Sequence, residues 1–358
     1  MRCAPLLLGS VLLYGGCGAT TESVVGAQDF VLAPLQPEVA IILQGARESL
    51  RGGDVSGASD RYSSLVAAHP DDPWLAVLYQ ETRYQFAEGL KEEEAAALAQ
   101  NLRGSYRERA EASPTPMNFL LAARSETDAY AALYLTERAL ELDPTFAWGR
   151  YARAHALSLL GKMQDAKAEV ERAVGLEPSL LPAWRLLAWL RSRAGERDLA
   201  IETWGIWLEA VRDDPRVSDA ARSEAICDLG LLLVRAKRHE EAIALLDTAL
   251  LDLSELDLSS RSRSSSLLAV AASEAGALEE ALLALETARE AEPKELLFIV
   301  QEALLLERLK PQSEAARAAW SEVIRQTQGA TDVGALLQRT RAEAYLAGMS
   351  FLEDEGAN

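Results

Sequence analysis

The sequence predicts an all-α protein built as a solenoid of helical hairpins, on three observations. A phrase recurs at a step of 34 residues: Gly161 is followed by Gly195, Ala132 by Ala166 and Ala200, and Pro144 by Pro178. Two short helices with small residues where they touch, closed by a Pro, have this period. Hydrophobic residues make up 49% of the chain but aromatics only 6%, and Ala and Leu dominate, which favours helix. Val, Ile and Thr rarely alternate with polar residues, so no sheet is expected. A chain of 358 residues could hold several domains, yet a repeat array reads as one elongated unit in which each repeat packs on its neighbours.

The first segment reads as an address. Residues 1–16 start with Arg2 and run through Leu6, Leu7, Leu8, Val11, Leu12 and Leu13 to Gly15 and Gly16. A positive start, a short apolar run and a small-residue site describe an export signal, too short for a membrane span. Leu13-Tyr14-Gly15-Gly16-Cys17 resembles the lipobox of bacterial lipoproteins, although Tyr14 stands where Leu is usual. The resemblance implies cleavage before Cys17 and acylation of that residue. A cleaved signal with an incidental Cys is the plainer alternative. Gly18 follows, with no Asp of the inner-membrane retention type, so the lipoprotein resemblance implies an outer-membrane protein facing the periplasm. Residues 17–37, rich in Thr, Ser, Gly and Pro, read as the lipidated Cys and a flexible tether.

Residues 38–330 form the expected array of about seven to eight units, strongest at 113–214 and 262–295. Ala46, Gly53, Ala58, Tyr62 and Pro70 mark a first unit, 73–112 a degenerate helical one, and Leu120, Ala132, Ala139 and Pro144 a third. The unit from Ala147 carries Ala154, Gly161, Ala166, Val170, Ala173 and Pro178, and the unit from Leu181 carries Trp184, Ala188, Gly195, Ala200 and Trp204. Gly230, Ala242, Leu246 and Ala249 make another, with Lys237 in place of the turn Gly. Ala269, Gly276, Ala281, Ala288 and Pro293 make a clean one, and Ala303, Lys310-Pro311 and Trp320 a weaker one. Small residues let paired helices approach, Gly accepts positive φ in the turn, and Pro ends the second helix. Residues 331–358 read as a capping helix, Asp332 to Ser350 with Gln338, Arg339 and Arg341 outward, and an acidic tail. Ser260 to Ser266 reads as a low-complexity loop.

This pattern of Ala, Gly, aromatic and Pro positions resembles the tetratricopeptide repeat family. The resemblance implies a right-handed superhelix whose first helices line a concave groove and whose second helices form the convex back. It places Trp148, Tyr151, His155, Leu159, Arg185, Trp189, Arg193, Arg235, Val270 and Arg308 on the groove side.

Charge sorts with the helices. The first helices carry Arg150, Arg153 and His155, then Arg185, Arg191 and Arg193, then Arg261 and Arg263, and read as free of acids. The second helices carry Asp165, Glu169 and Glu171, then Glu196, Asp198 and Glu202, then Glu279, Glu280 and Glu286. Arg with Trp and Tyr suits capture of an extended peptide or a helix bearing carboxylates, so the expected partner is a protein or peptide of acidic character. The alternative is that basic and acidic helices simply pair with each other, each exposed pair contributing at most about 1 kcal/mol.

Other chemistry finds no support. A net charge of −19 argues against nucleic acid, and His69, His155 and His239 have no metal-ligand spacing. His239-Glu240-Glu241 lacks the second His of a zinc protease, and Cys227, beside Ile226 and Leu229, reads as a small structural residue. No cofactor, metal or small-molecule substrate is expected, and no catalytic residue. Trp204 and Trp207, on a second helix, read as core. The expected role is a lipid-anchored scaffold or adaptor in envelope assembly or secretion, against a self-associating spacer without a groove ligand.

Overall fold

The computed structural model describes residues 26, 29, 30, 34–252 and 258–348. The expected signal segment, Cys17, Ser350 and the acidic tail lie outside the described residues. Within them the chain is all helix, as eight consecutive hairpins and a final helix. The hairpins are α1 (Pro37–Arg51) with α2 (Val55–Ala68), α3 (Pro73–Glu88) with α4 (Glu92–Ala112), and α5 (Pro116–Ser125) with α6 (Ala129–Leu142). Then come α7 (Ala147–Leu159) with α8 (Met163–Leu176), α9 (Leu181–Arg193) with α10 (Arg197–Val211), and α11 (Asp219–Arg235) with α12 (His239–Asp252). The array closes with α13 (Leu258–Ala275) and α14 (Leu278–Ala291), α15 (Leu296–Leu309) and α16 (Glu314–Gln326), and α17 (Val333–Leu346).

The helices begin where side-chain acceptors meet orphan backbone donors. Asp72 accepts from the N–H groups of Trp74 and Leu75, Thr115 from that of Asn118, and Ser218 from that of Ala221. Pro73 and Pro116 add a fixed φ at the first helical position. The turns within hairpins use the left-handed region: Gly161 has φ +74° and Gly195 +80°. Where Gly is missing, Lys237 (φ 60°) and Gln312 (φ 59°) adopt the same conformation, so the turn geometry outlives its usual residue.

Packing follows from the small residues. Ala154 and Ala166 are fully buried where α7 crosses α8, and Ala188 and Ala200 likewise where α9 crosses α10. The two helices of each hairpin pack on each other, each second helix packs on the first helix that follows it, and α3, α5, α7, α9, α11 and α13 also pack on one another in succession. The first helices therefore form a continuous inner wall. The largest core cluster runs from α3 to α13 and contains Trp148, Trp184, Trp204 and Trp207, while the terminal hairpins have smaller clusters of their own.

Three expectations are corrected. Ser260 to Ser266 lies inside α13, where Ser264 and Ser265 are buried. Their small side chains let α13 lie close to α11, and the Ser264 hydroxyl sits 3.4 Å from the Cys227 thiol. That helix is also not free of acids, since it includes Glu274 near its end. In the cap, Arg341 does not point outward: its guanidinium lies 5.6 Å from the centre of the Trp320 ring. Its neighbour Arg339 does stay on the surface, paired with Glu343 at 2.9 Å.

Candidate binding cleft

The inner wall encloses a cleft of about 580 Å³ between α3, α5, α7, α9 and the start of α11. Of the residues placed on the groove side by sequence, it brings together Trp148, Tyr151, His155, Leu159, Arg185 and Trp189. Arg193, Arg235, Val270 and Arg308 do not line it. Arg193 lies outside over the Trp189 ring, 5.9 Å from its centre, and Arg235 is exposed. Arg308 donates to the Ser273 hydroxyl at 2.5 Å and to the Ser273 carbonyl at 3.3 Å. Cys17 lies outside the described residues.

Within the cleft Trp148 is 2% exposed and forms the floor, edge-on to Trp74 at 5.3 Å and to Tyr151 at 6.1 Å. His155 is exposed on the open side of the cleft. Partial desolvation by the neighbouring walls, reinforced by the Arg124 cation, holds its imidazole below the ordinary histidine value. Leu159 is exposed at the mouth.

The lining is of mixed charge, for a reason the repeat pattern hides. Carboxylates enter from α3 (Glu81), from the residue capping α5 (Glu126) and from α11 (Asp228). The arginines are paired within the array: Arg124 with Glu81 at 2.6 Å and Arg185 with Glu224 at 2.6 Å. Glu81 and Glu224 are 52% and 54% exposed, so these pairs contribute little and exchange readily with another carboxylate. Burial pushes the Asp228 carboxyl upward, against the opposing pull of Arg185. Arg150 and Arg153 turn away from the cleft toward Glu169 of α8, at 3.0 and 3.9 Å. Arg191 is fully buried and donates to the Thr203 hydroxyl at 2.7 Å. The pairing of basic with acidic helices accounts for Arg150 and Arg153, while Arg124 and Arg185 face the cleft.

The superhelix also curls far enough for its first hairpins to meet the fourth to sixth. Phe30 lies edge-on to Trp184 at 5.4 Å, and the Arg216 guanidinium lies 5.7 Å from the centre of the Trp74 ring. Burial raises the Glu177 carboxyl at the end of α8, and the nearby charge of Asp72 at the start of α3 adds to it. Arg47 and Arg51 of α1 both reach Asp219, each at 2.7 Å. An open groove thus becomes a cleft closed on one side by side chains. Trp74, Arg216 and Asp219 are not marked by the repeat because the degenerate second unit and the segment leading into α11 break it, and Arg124 of α5 shows as a cleft residue only once α3 and α7 are seen beside it. One signal was present: an aromatic in the first turn of a first helix recurs at Trp74, Trp148 and Trp184.

Among the described residues no group of His, Cys, Asp and Glu has the arrangement of a metal site, and no helix is long and apolar enough to cross a membrane. Residues 149–180 match the family model for the tetratricopeptide repeat. No curated protein is similar in sequence. The fold is similar to a chain in the crystal structure of the APC/C hetero-tetramer Cut9–Hcn1, with a TM-score of 0.56 and 15% identity over 80% of this chain. The chain spans about half, 52%, of the length of that one. PilF of Pseudomonas aeruginosa has a TM-score of 0.48 at 15% identity, covering 69% of this chain and 98% of its own. YrrB, described as a TPR protein with an unusual peptide-binding site, has a TM-score of 0.45 at 19% identity, covering 57% of this chain and 97% of its own.

Proposed function

For a chain that carries a tetratricopeptide repeat and folds as a solenoid of that type, we propose a protein-binding scaffold that receives a segment of its partner in the cleft between α3 and α11. The observation that carries this reading is the convergence of Trp74, Trp148, Tyr151 and Trp189 with Arg124 and Arg185 on one concave surface. Aromatic anchors supply contact area at low entropic cost, and guanidinium groups orient carboxylates. The volume suits a few side chains of an extended segment, and not the full girth of a helix about 10 Å across. The scaffold has no catalytic role in this reading, because arrays of this kind work by presenting surfaces.

The lipobox-like residues before Cys17 support a lipid anchor, and with it a place at the outer membrane facing the periplasm, in envelope assembly or secretion. Acyl chains contribute about 0.8 kcal/mol per buried methylene, so several would hold the array durably on a bilayer. Fractionation of a Cys17→Ala variant tests this: the variant should leave the membrane fraction, and unchanged membrane association would refute the anchor.

The cleft is tested by a photo-crosslinking side chain at Leu159, at its mouth, against one at the exposed Leu283 of α14. One dominant protein attached at Leu159 and not at Leu283 is the expected result. Equal labelling from both would refute a specific cleft, and attachment only to copies of the same chain would favour the spacer role.

A further inference from the structure

The charges that line the cleft are committed to partners of the chain's own, with one exception. Arg124 is paired with Glu81, Arg185 with Glu224 and Arg216 with Asp214, each at 2.6 Å. The Glu126 carboxylate, nearly buried, is held by Arg107. His155 is kept toward its neutral form by desolvation and by Arg124. Asp228 of α11 also lines the cleft, yet among the described residues it has no hydrogen bond or ion pair. Arg185 of α9 and Arg263 of α13 draw its carboxyl down through space, and Glu224 of its own helix pushes it up. Burial is the largest influence, and the carboxyl stays raised. A half-buried carboxylate without a bonded partner is costly to keep, and an incoming cation relieves that cost.

The position of Asp228 points to the kind of cation. α9 and α11 run in the same direction along the inner wall, and the Arg185–Glu224 pair joins residues 39 apart in sequence. One turn further along both helices, the same offset sets Trp189 level with Asp228, and both line the cleft. Trp189 is half-buried and already takes a cation from its own chain: the Arg193 guanidinium lies 5.9 Å from the centre of its ring, outside the cleft. Such rings attract Lys and Arg through the negative charge of their faces, and the attraction grows as water is excluded. A carboxylate and an indole at one level of a concave wall match a side chain with a positive end and an apolar stem.

We propose that Trp189 and Asp228 form a subsite for a lysine or arginine side chain of the bound segment, set beside the arginines that orient its carboxylates. This deepens the reading of the cleft as the partner-binding face and rests on it. The segment the cleft takes then carries both signs of charge.

The test uses the full-length protein in detergent and two fluorescent peptides of equal length, alternating Glu–Lys and alternating Glu–Gln, read by anisotropy at low salt. The unmodified protein should bind the Glu–Lys peptide about tenfold more tightly, the scale of one desolvated charge pair. Asp228→Asn should bind the two alike. Trp189→Leu should lose most of the preference and Trp189→Phe should keep most of it, since an aromatic face holds the cation. Glu279→Gln, at an exposed site on α14 outside the cleft, should leave it unchanged. The denaturation midpoint of Asp228→Asn should be no lower than that of the unmodified protein, because its carboxylate has no bonded partner to lose. A preference absent from the unmodified protein, kept in Asp228→Asn or lost equally in Glu279→Gln overturns the proposal, and so does a lowered midpoint. If Trp189→Leu fails to fold, judged by circular dichroism, Asp228→Asn decides alone. The photo-crosslinking side chain at Leu159 separates the subsite from the cleft. Equal affinities with both peptides labelled there remove the subsite and leave the cleft. A preference that depends on Asp228, with neither peptide labelled, keeps the subsite and removes the cleft as the path of the whole segment.

Discussion

The carboxylate of Asp219 and the guanidinium of Arg47 lie 2.7 Å apart although 172 residues separate them in sequence. In a stack where each hairpin packs on its neighbours, this pair links the first hairpin to the sixth. It turns an open curve into a closed one.

That closure should depend on acid in a defined window. Burial pushes the Asp219 carboxyl upward, but hydrogen bonds from Arg51 and Arg222 and the charge of Arg47 outweigh it and hold its pKa at about 2. A depressed carboxylate pKa contributes stability that is present above the unfolded value of about 4 and is lost as pH falls toward the folded one. With Asp219 still 30% exposed, the contribution is about 1–2 kcal/mol after screening. Unfolding by urea between pH 5 and pH 2 should therefore show a smaller acid dependence in Asp219→Asn. Small-angle scattering should show that variant to be more extended, and an unchanged radius of gyration would contradict the role of the pair.

His155 should report on the cleft. Its imidazole is held below the ordinary value by partial desolvation and by Arg124, so the neutral form is favoured. The unfolded chain then binds a proton first as pH falls, and folded stability declines below about pH 6.5, the ordinary histidine value. A carboxylate placed beside the ring reverses the preference and draws a proton in. Affinity for an acidic peptide should consequently rise as pH drops from about 7 to 6, near that same value, and should lose this dependence in His155→Leu. An NMR titration of the ring with and without peptide measures the shift directly.

The turns make opposed predictions from one backbone conformation. At Gly161, φ is +74° and a Cβ would meet nothing within 4 Å, so Gly161→Ala is penalised by conformation alone. The loss should be about 1 kcal/mol. At Lys237 the same region is occupied by a residue with a Cβ, φ 60°, and Lys237→Gly should stabilise by about 0.5–1 kcal/mol. Denaturant midpoints of the two variants should move in opposite directions.

The hairpin crossings should resist enlargement. Ala166 is fully buried opposite Ala154, with Val170 and Ala173 also fully buried on the same helix. Ala166→Leu should cost about 1–3 kcal/mol by overpacking. It should also widen the α7–α8 crossing, which calorimetry and loss of peptide binding would register together.

Much of this was legible along the chain because hairpin repeats are local. Ala154 and Ala166, Gly161 and Pro178 each act within one unit of 34 residues, and their spacing announces the crossing, the turn and the stop. The same locality explains Trp148, Tyr151, His155, Arg185 and Trp189, which fall on the inner wall because the repeat repeats its orientation. The serines of α13 misled the reading, since a low-complexity run resembles a loop until α11 is seen lying against it.

The sequence by itself determined most of the helices, their pairing and the inward face of α7 and of most of α9, because helix period, turn φ and close packing depend on residues a few tens of positions apart. Only the tertiary structure decided that the face is a closed cleft of mixed charge. The small rotation between successive hairpins accumulates over the array and brings Arg47 to Asp219 and Trp74 to Trp148. No spacing in the chain encodes that sum, since each hairpin fixes only its place on its neighbour and the contact exists only once all of them are stacked.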